Sequence, residues 1–166
     1  MSFNTNIPSA SVGKLRNEEI APFAIRCLRQ GRGAQAFLLL SEPGADKTPE
    51  ASFALGLCNL LSGDASAAVS CFEKALGMLK GMPASRPPAG ENSEKYIRLT
   101  VEQVRERVYL TPMDADFCTH FPEAAEQTVL LALIHAYLQK GMTDQAKRLS
   151  SGLTGPEFEE YKKKFQ

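Results

Sequence analysis

Residues 54–76 read ALGLCNLLSGDASAAVSCFEKAL, and this stretch decides the fold. Just upstream, Thr48 is placed to cap a helix and Pro49 suits its first position, where a missing N–H costs nothing. Phe53, Leu57, Leu60 and Leu61 then follow at helical spacing, and Gly63 closes the run. Asp64 is a good cap for a second helix carrying Val69, Phe72, Leu76 and Leu79. The small residues Gly56, Ala68 and Ala75 alternate with the large Leu55 and Phe72. Two antiparallel helices can therefore approach closely while the large side chains fill the spaces between them. One such pair cannot bury both its faces, so neighbours must stack on it.

Helical periodicity extends in both directions, and no segment alternates as a strand would. Upstream, a first helix is predicted from after Asn17 to Gln30, with Glu18 and Glu19 in its first turn and Gly31 as its stop. Pro22 is awkward inside it, which makes Pro22 an alternative start. A shorter helix follows over about 33–42, ended by Pro43-Gly44. Downstream, residues 81–92 turn to Pro, Gly and Ser and read as a loop. An amphipathic fifth helix is expected over 93–109, then an irregular connector over 113–121. The sixth helix, 122–140, is the most hydrophobic stretch; Gly141 breaks it before a seventh over 143–151. A last helix over 157–165 places Phe158, Tyr161 and Phe165 on one face. The expectation is an all-α chain of about eight helices, with a flexible segment at 1–16 and one domain over 17–166.

Bulk properties exclude several classes. At 166 residues, with 43% hydrophobic and 23% charged residues, the chain is globular rather than disordered. A chain of this length buries roughly 70% of its unfolded surface and needs no disulfide or metal to hold it. Nineteen basic residues balance nineteen acidic ones, which removes the footprint of a general nucleic-acid binder or a polybasic membrane anchor. The polar start MSFNTNIPSASVGKLRNEEI has no apolar signal core, and the longest apolar run, Val129–Leu138, is too short to span a bilayer. Cys27, Cys58, Cys71 and Cys118 form no CxxC pair and read as reduced thiols of a cytoplasmic protein.

The central pair resembles a tetratricopeptide repeat (TPR). Leu55, Gly56, Ala68, Phe72 and Ala75 stand at the spacings that family uses, and Gly63-Asp64 stands at its turn. The family's early Trp, its Tyr (here Asn59) and its closing Pro (here Lys80) are missing. A weaker copy places Phe23-Ala24, Gly31, Ala36 and Leu40 on the same frame. Another places Tyr137, Gly141 and Ala146, with Ile134 at the Gly slot and Ser150 at the Phe slot. From Ala24 to Gly56 is 32 residues, near one repeat, whereas Gly56 to Ile134 is 78, so the loop and fifth helix interrupt the register. The resemblance implies stacked antiparallel pairs in a right-handed superhelical α-solenoid. It also implies that the first helix of each pair lines a concave groove, which would gather Ile25, Leu28, Arg29, Phe53, Leu57, Leu60, Leu131, His135 and Leu138. Some members hold a terminal carboxylate with a Lys, Asn and Arg clamp; its slots here are Ala21, Ile25 and Ala54, so that clamp is missing.

Catalytic and metal chemistry finds little support. Asp114, Asp116, Cys118 and His120 alternate in the connector, but the spacing fits no closed zinc signature and equally suits turn residues and a helix entry. There is no GxSxG, HExxH or phosphate-cradling GxxxxGK. Lys162-Lys163-Lys164 suits the C-terminal end of a helix. No cofactor is expected. The expected function is a non-enzymatic adaptor or scaffold, monomeric or weakly dimeric, that takes a protein or peptide in an apolar groove. The alternatives are a small secretion-type chaperone, a regulatory or oligomerising module whose groove its own chain fills, and a metal-dependent enzyme using residues 114–120.

Overall fold

A computed structural model describes residues 16–85 and 110–153, together with 155, 158, 159, 162 and 163. The helix expected over 93–109, most of the 1–16 segment and residues 86–92 of the loop lie outside the described residues. Among the described residues all regular structure is helical: seven helices have described bounds, and residues 158, 159, 162 and 163 are helical beyond them. They are α1 (Asn17–Arg29), α2 (Gly33–Leu40), α3 (Pro49–Leu61), α4 (Ala65–Leu79), α5 (Ala115–His120), α6 (Pro122–Gln139) and α7 (Thr143–Ser151).

Three of the connections are built alike. After α1, the Gly31 N–H donates to the Leu28 carbonyl (2.9 Å) and the Arg32 N–H to Cys27 (2.8 Å). After α3, Gly63 donates to Leu60 (3.1 Å) and Asp64 to Asn59 (2.9 Å). After α6, Gly141 donates to Leu138 (3.1 Å) and Met142 to Tyr137 (2.8 Å). Each is a Schellman turn, whose pivot needs a left-handed backbone; Gly31, Gly63 and Gly141 supply it at φ of 73°, 88° and 77°. Five residues past each glycine comes an alanine, Ala36, Ala68 or Ala146, and all three are fully buried.

The size of the next paired positions is traded between the two helices. Seven residues before the glycine stand Ala24, Gly56 and Ile134; nine residues after it stand Leu40, Phe72 and Ser150. Where the first helix is smallest the second is largest, and the reverse holds in the last pair. All six are buried. At Gly56 the fit is tightest, because a Cβ there would lie 2.5 Å from the Phe72 ring. Phe53 completes that contact, its ring centroid 5.4 Å from that of Phe72.

The pairs pack in chain order, α2 against α3 and α4 against α6. The main core joins Phe53, Leu57 and Leu60 of α3, Phe72 and Leu79 of α4, and Val129 and Leu133 of α6. A second cluster lies between α1, α2 and α3, around Cys27, Leu40 and Ala54. A third closes the far end, where Phe158 (1% exposed) seats among Leu131, Ile134 and Ala146.

The helix ends explain most boundaries. Pro49 opens α3 and Asp64 caps α4 by accepting from the Ala67 N–H (2.9 Å), while Thr48 makes no side-chain cap. α1 carries Pro22 within it and starts before it, at Asn17. Its start is held by Glu19, which accepts from the Arg16 backbone N–H (3.0 Å) and its guanidinium (3.1 Å). The expected irregular connector over 113–121 is corrected: residues 115–120 form α5. The Asp114 carboxylate caps it by accepting from the Phe117 N–H (3.0 Å), and Phe117 and Cys118 bury on the core.

Candidate functional site

The nine residues expected to share a groove are divided by the structure. Phe53, Leu57 and Leu60 lie in the main core, 6% exposed at most. What covers them is the chain itself, since Met113, Phe117 and Cys118 belong to the same cluster and α5 packs on α3. Ile25 is buried in the second cluster with Leu28 half-buried beside it. Leu131 is buried in the third cluster, where Leu138 packs half-exposed. His135 is half-buried on the same helix. Arg29 is exposed but occupied: its guanidinium donates to the Pro112 carbonyl (3.2 Å) and the Asp114 carboxylate (3.3 Å).

The alternating residues of the connector, Asp114, Asp116, Cys118 and His120, also part company. Asp114 is spent on the α5 cap and on Arg29. The Cys118 thiol is sealed in the core, where burial first, and the nearby Glu50 and Asp114 charges second, push its ionisation far above the ordinary thiol range. The His120 Nδ1 faces the Ser85 hydroxyl (2.9 Å) and the Ser85 carbonyl (3.2 Å). Among the described residues no group of three or more His, Cys, Asp or Glu could hold a metal.

Two concave sites stand among the described residues. A cleft of about 330 Å³ lies between α2 and α3, lined by Ala34, Phe37, Cys58 and Leu61. Leu61 is 73% exposed and Leu38, next to Phe37, 69%. Burial raises the Cys58 thiol to about 11, so it floors the cleft as an uncharged group. The second, of about 390 Å³, opens between α1, the first turn of α3 and the start of α5. Arg26 and Arg29 line it from α1, and Glu50, Asp114 and Asp116 from the other elements. Its signal in the sequence was faint, because Glu50 looks like any acidic residue in a first helical turn, and the other walls come from α1 and the start of α5, distant in sequence.

No known protein family, curated protein or solved structure matches this chain. Among the described residues no helix is long and apolar enough to cross a membrane.

Proposed function

We propose that this protein is a non-enzymatic interaction module built from TPR-like helix pairs. The observation that carries the reading is the threefold recurrence of one unit: a Schellman glycine, a fully buried alanine five residues on, and a traded large–small position beyond it. Arrays of such units present extended surfaces held by a repetitive core, a design suited to holding other proteins. With the α3 face covered, contact falls to the apolar residues that stay in solvent. Among the described residues these include Phe37, Leu38 and Leu61 on the first two pairs, Leu110, and the half-exposed Leu28 and Leu138.

The test is affinity capture from native lysate with quantitative mass spectrometry. The full chain retains a specific protein, and Leu61→Glu loses it while melting as the parent does. Capture indifferent to Leu61→Glu, Leu38→Glu and Leu138→Glu alike overturns the reading.

A second reading has its own support. The burial of Phe53 and Leu57 in one core with Met113, Phe117 and Cys118 is what a self-filled regulatory or oligomerising module needs. Such a protein stays monodisperse and captures nothing, and the amides of α3 exchange only on global unfolding.

A further inference from the structure

The last helix pair has two apolar faces and one neighbouring pair. At roughly 100° per residue, Val129, Ala132, Leu133 and Ala136 share one side of α6, where they enter the main core with α4. Leu131, Ile134 and Leu138 share the opposite side, in a cluster with Ala146 and Leu149 of α7. Among the described residues no further pair follows α7 to stack on that side. A bare apolar end would draw copies into association, so a terminal unit of a stacked array needs a cover.

Phe158 supplies one. It is 1% exposed in that cluster, and the turn that carries it is bonded within itself. Gly155, at φ 138°, redirects the chain beyond α7. Its carbonyl accepts from the Phe158 N–H (3.2 Å) and the Glu159 N–H (3.3 Å). The Lys162 ammonium then donates to the Glu159 carboxylate (2.7 Å) one turn further on. The cover is smaller than the face it serves. Leu131 and Ile134 are 3% and 0% exposed, but Leu138, on the same side of α6, stays half-exposed, as do Leu130 and Leu149 of the same cluster. Apolar surface left in water around a seat that already holds one aromatic ring favours a longer apolar helix over the short resident.

We propose that this end face of α6 and α7 is a docking site for a partner's amphipathic helix that presents a phenylalanine, and that Phe158 holds the site in cis as an exchangeable plug. The resident shows what the seat accepts: an aromatic ring on a helical turn, set among Leu131, Ile134 and Ala146. A partner helix replaces that ring with its own and adds contact with Leu138, which the plug leaves half-exposed. The short joint from Ser151 gives the plug an effective concentration on the order of millimolar, so weak aromatic peptides are turned away and a helix with greater apolar contact is admitted. The proposal rests on the interaction-module reading and names one of its sites and the control on that site.

The test needs no cellular partner, so its failure is separable from failure of capture. A fluorescent peptide of residues 153–166 is titrated into the full chain, into Phe158→Ala and into Phe158→Leu, and anisotropy is read. The peptide binds Phe158→Ala saturably and about tenfold or more tightly than the parent chain, whose own plug competes. Phe158→Leu, which keeps an apolar plug and serves where Phe158→Ala does not fold, binds with intermediate affinity. The same peptide carrying Phe158→Ala binds none of the three. Equal binding by the parent and a folded plug variant overturns the proposal, as does a folded variant that binds no peptide. A Phe158→Ala chain that dimerises and ignores the peptide assigns the face to a second copy and overturns it too.

Discussion

The Arg29 guanidinium sits 3.3 Å from the Asp114 carboxylate, tying the end of α1 to the start of α5 across 85 residues of chain. Both side chains are more than a third exposed, so water screens the pair and its share of stability is modest, about 0.2–1 kcal/mol. Asp114 has a second task as the α5 cap, worth about 1 kcal/mol. Asp114→Ala is therefore expected to cost more than Arg29→Ala, and Asp114→Asn, which keeps the capping oxygen, less than Asp114→Ala. Denaturant unfolding of the three variants checks the order. Added salt should narrow the ion-pair share of each difference and leave the capping share of Asp114→Ala in place.

Gly56 leaves no room for a methyl group, because Phe72 is fully buried and its ring cannot swing into solvent. Gly56→Ala is expected to destabilise by ~1–3 kcal/mol, and Gly56→Leu by at least as much. The first pair already holds Ala24 with Leu40, which suggests the rescue. Adding Phe72→Leu to Gly56→Ala should cost less than the two single changes summed, a coupling measurable in a double-mutant cycle. Strict additivity would mean the two residues do not share the space.

Phe158 closes the last pair. Phe158→Ala should cost ~3–5 kcal/mol, since a fully buried ring leaves a cavity among Leu131, Ile134 and Ala146. Thermal melting gives the loss, and increased binding of an apolar dye would show the uncovered end. A change under 1 kcal/mol would place Phe158 elsewhere.

The Tyr137 hydroxyl donates to the Glu73 carboxylate (2.9 Å), linking α6 to α4. Burial first, then the bond to Glu73 and its charge, raise the phenol to about 12. A raised value means the folded state holds its proton more tightly than the unfolded chain. The stabilisation is complete below the unfolded value near 10 and is lost as pH climbs toward 12. Tyr137→Phe should cost ~0.5–1.5 kcal/mol at neutral pH and flatten that alkaline decline, read from unfolding curves at several pH values.

Local chemistry made the central pair legible. Pro49, Gly63 and Asp64 are punctuation that acts within a few residues, and the structure obeys each of them. α5 escaped because a six-residue helix has too few turns to show a period, and its signal was one cap at Asp114 ahead of Phe117. The groove assignment drew on analogy for Phe53 and Leu57, and no pattern near them reveals that they share one core with Met113 and Phe117. The pocket at Glu50 was hidden for the same reason: its other walls, from α1 and residues 114–116, lie far away in sequence. Side chains whose surroundings are local could be placed; those whose surroundings arrive late in the chain could not.

The three Schellman hairpins also set an order of events during folding. Each joins helices separated by only a few residues, so α1–α2, α3–α4 and α6–α7 can close on fast, local timescales. The seam between α4 and α6 is different, because its two sides are parted by everything from Leu79 to Pro122. Closing that gap carries the largest loop entropy of any joint between successive pairs, and nothing is gained until Phe72 and Val129 reach the same core. Refolding should thus wait on this one docking step, with Val129→Ala slowing it more than changes confined to a single hairpin.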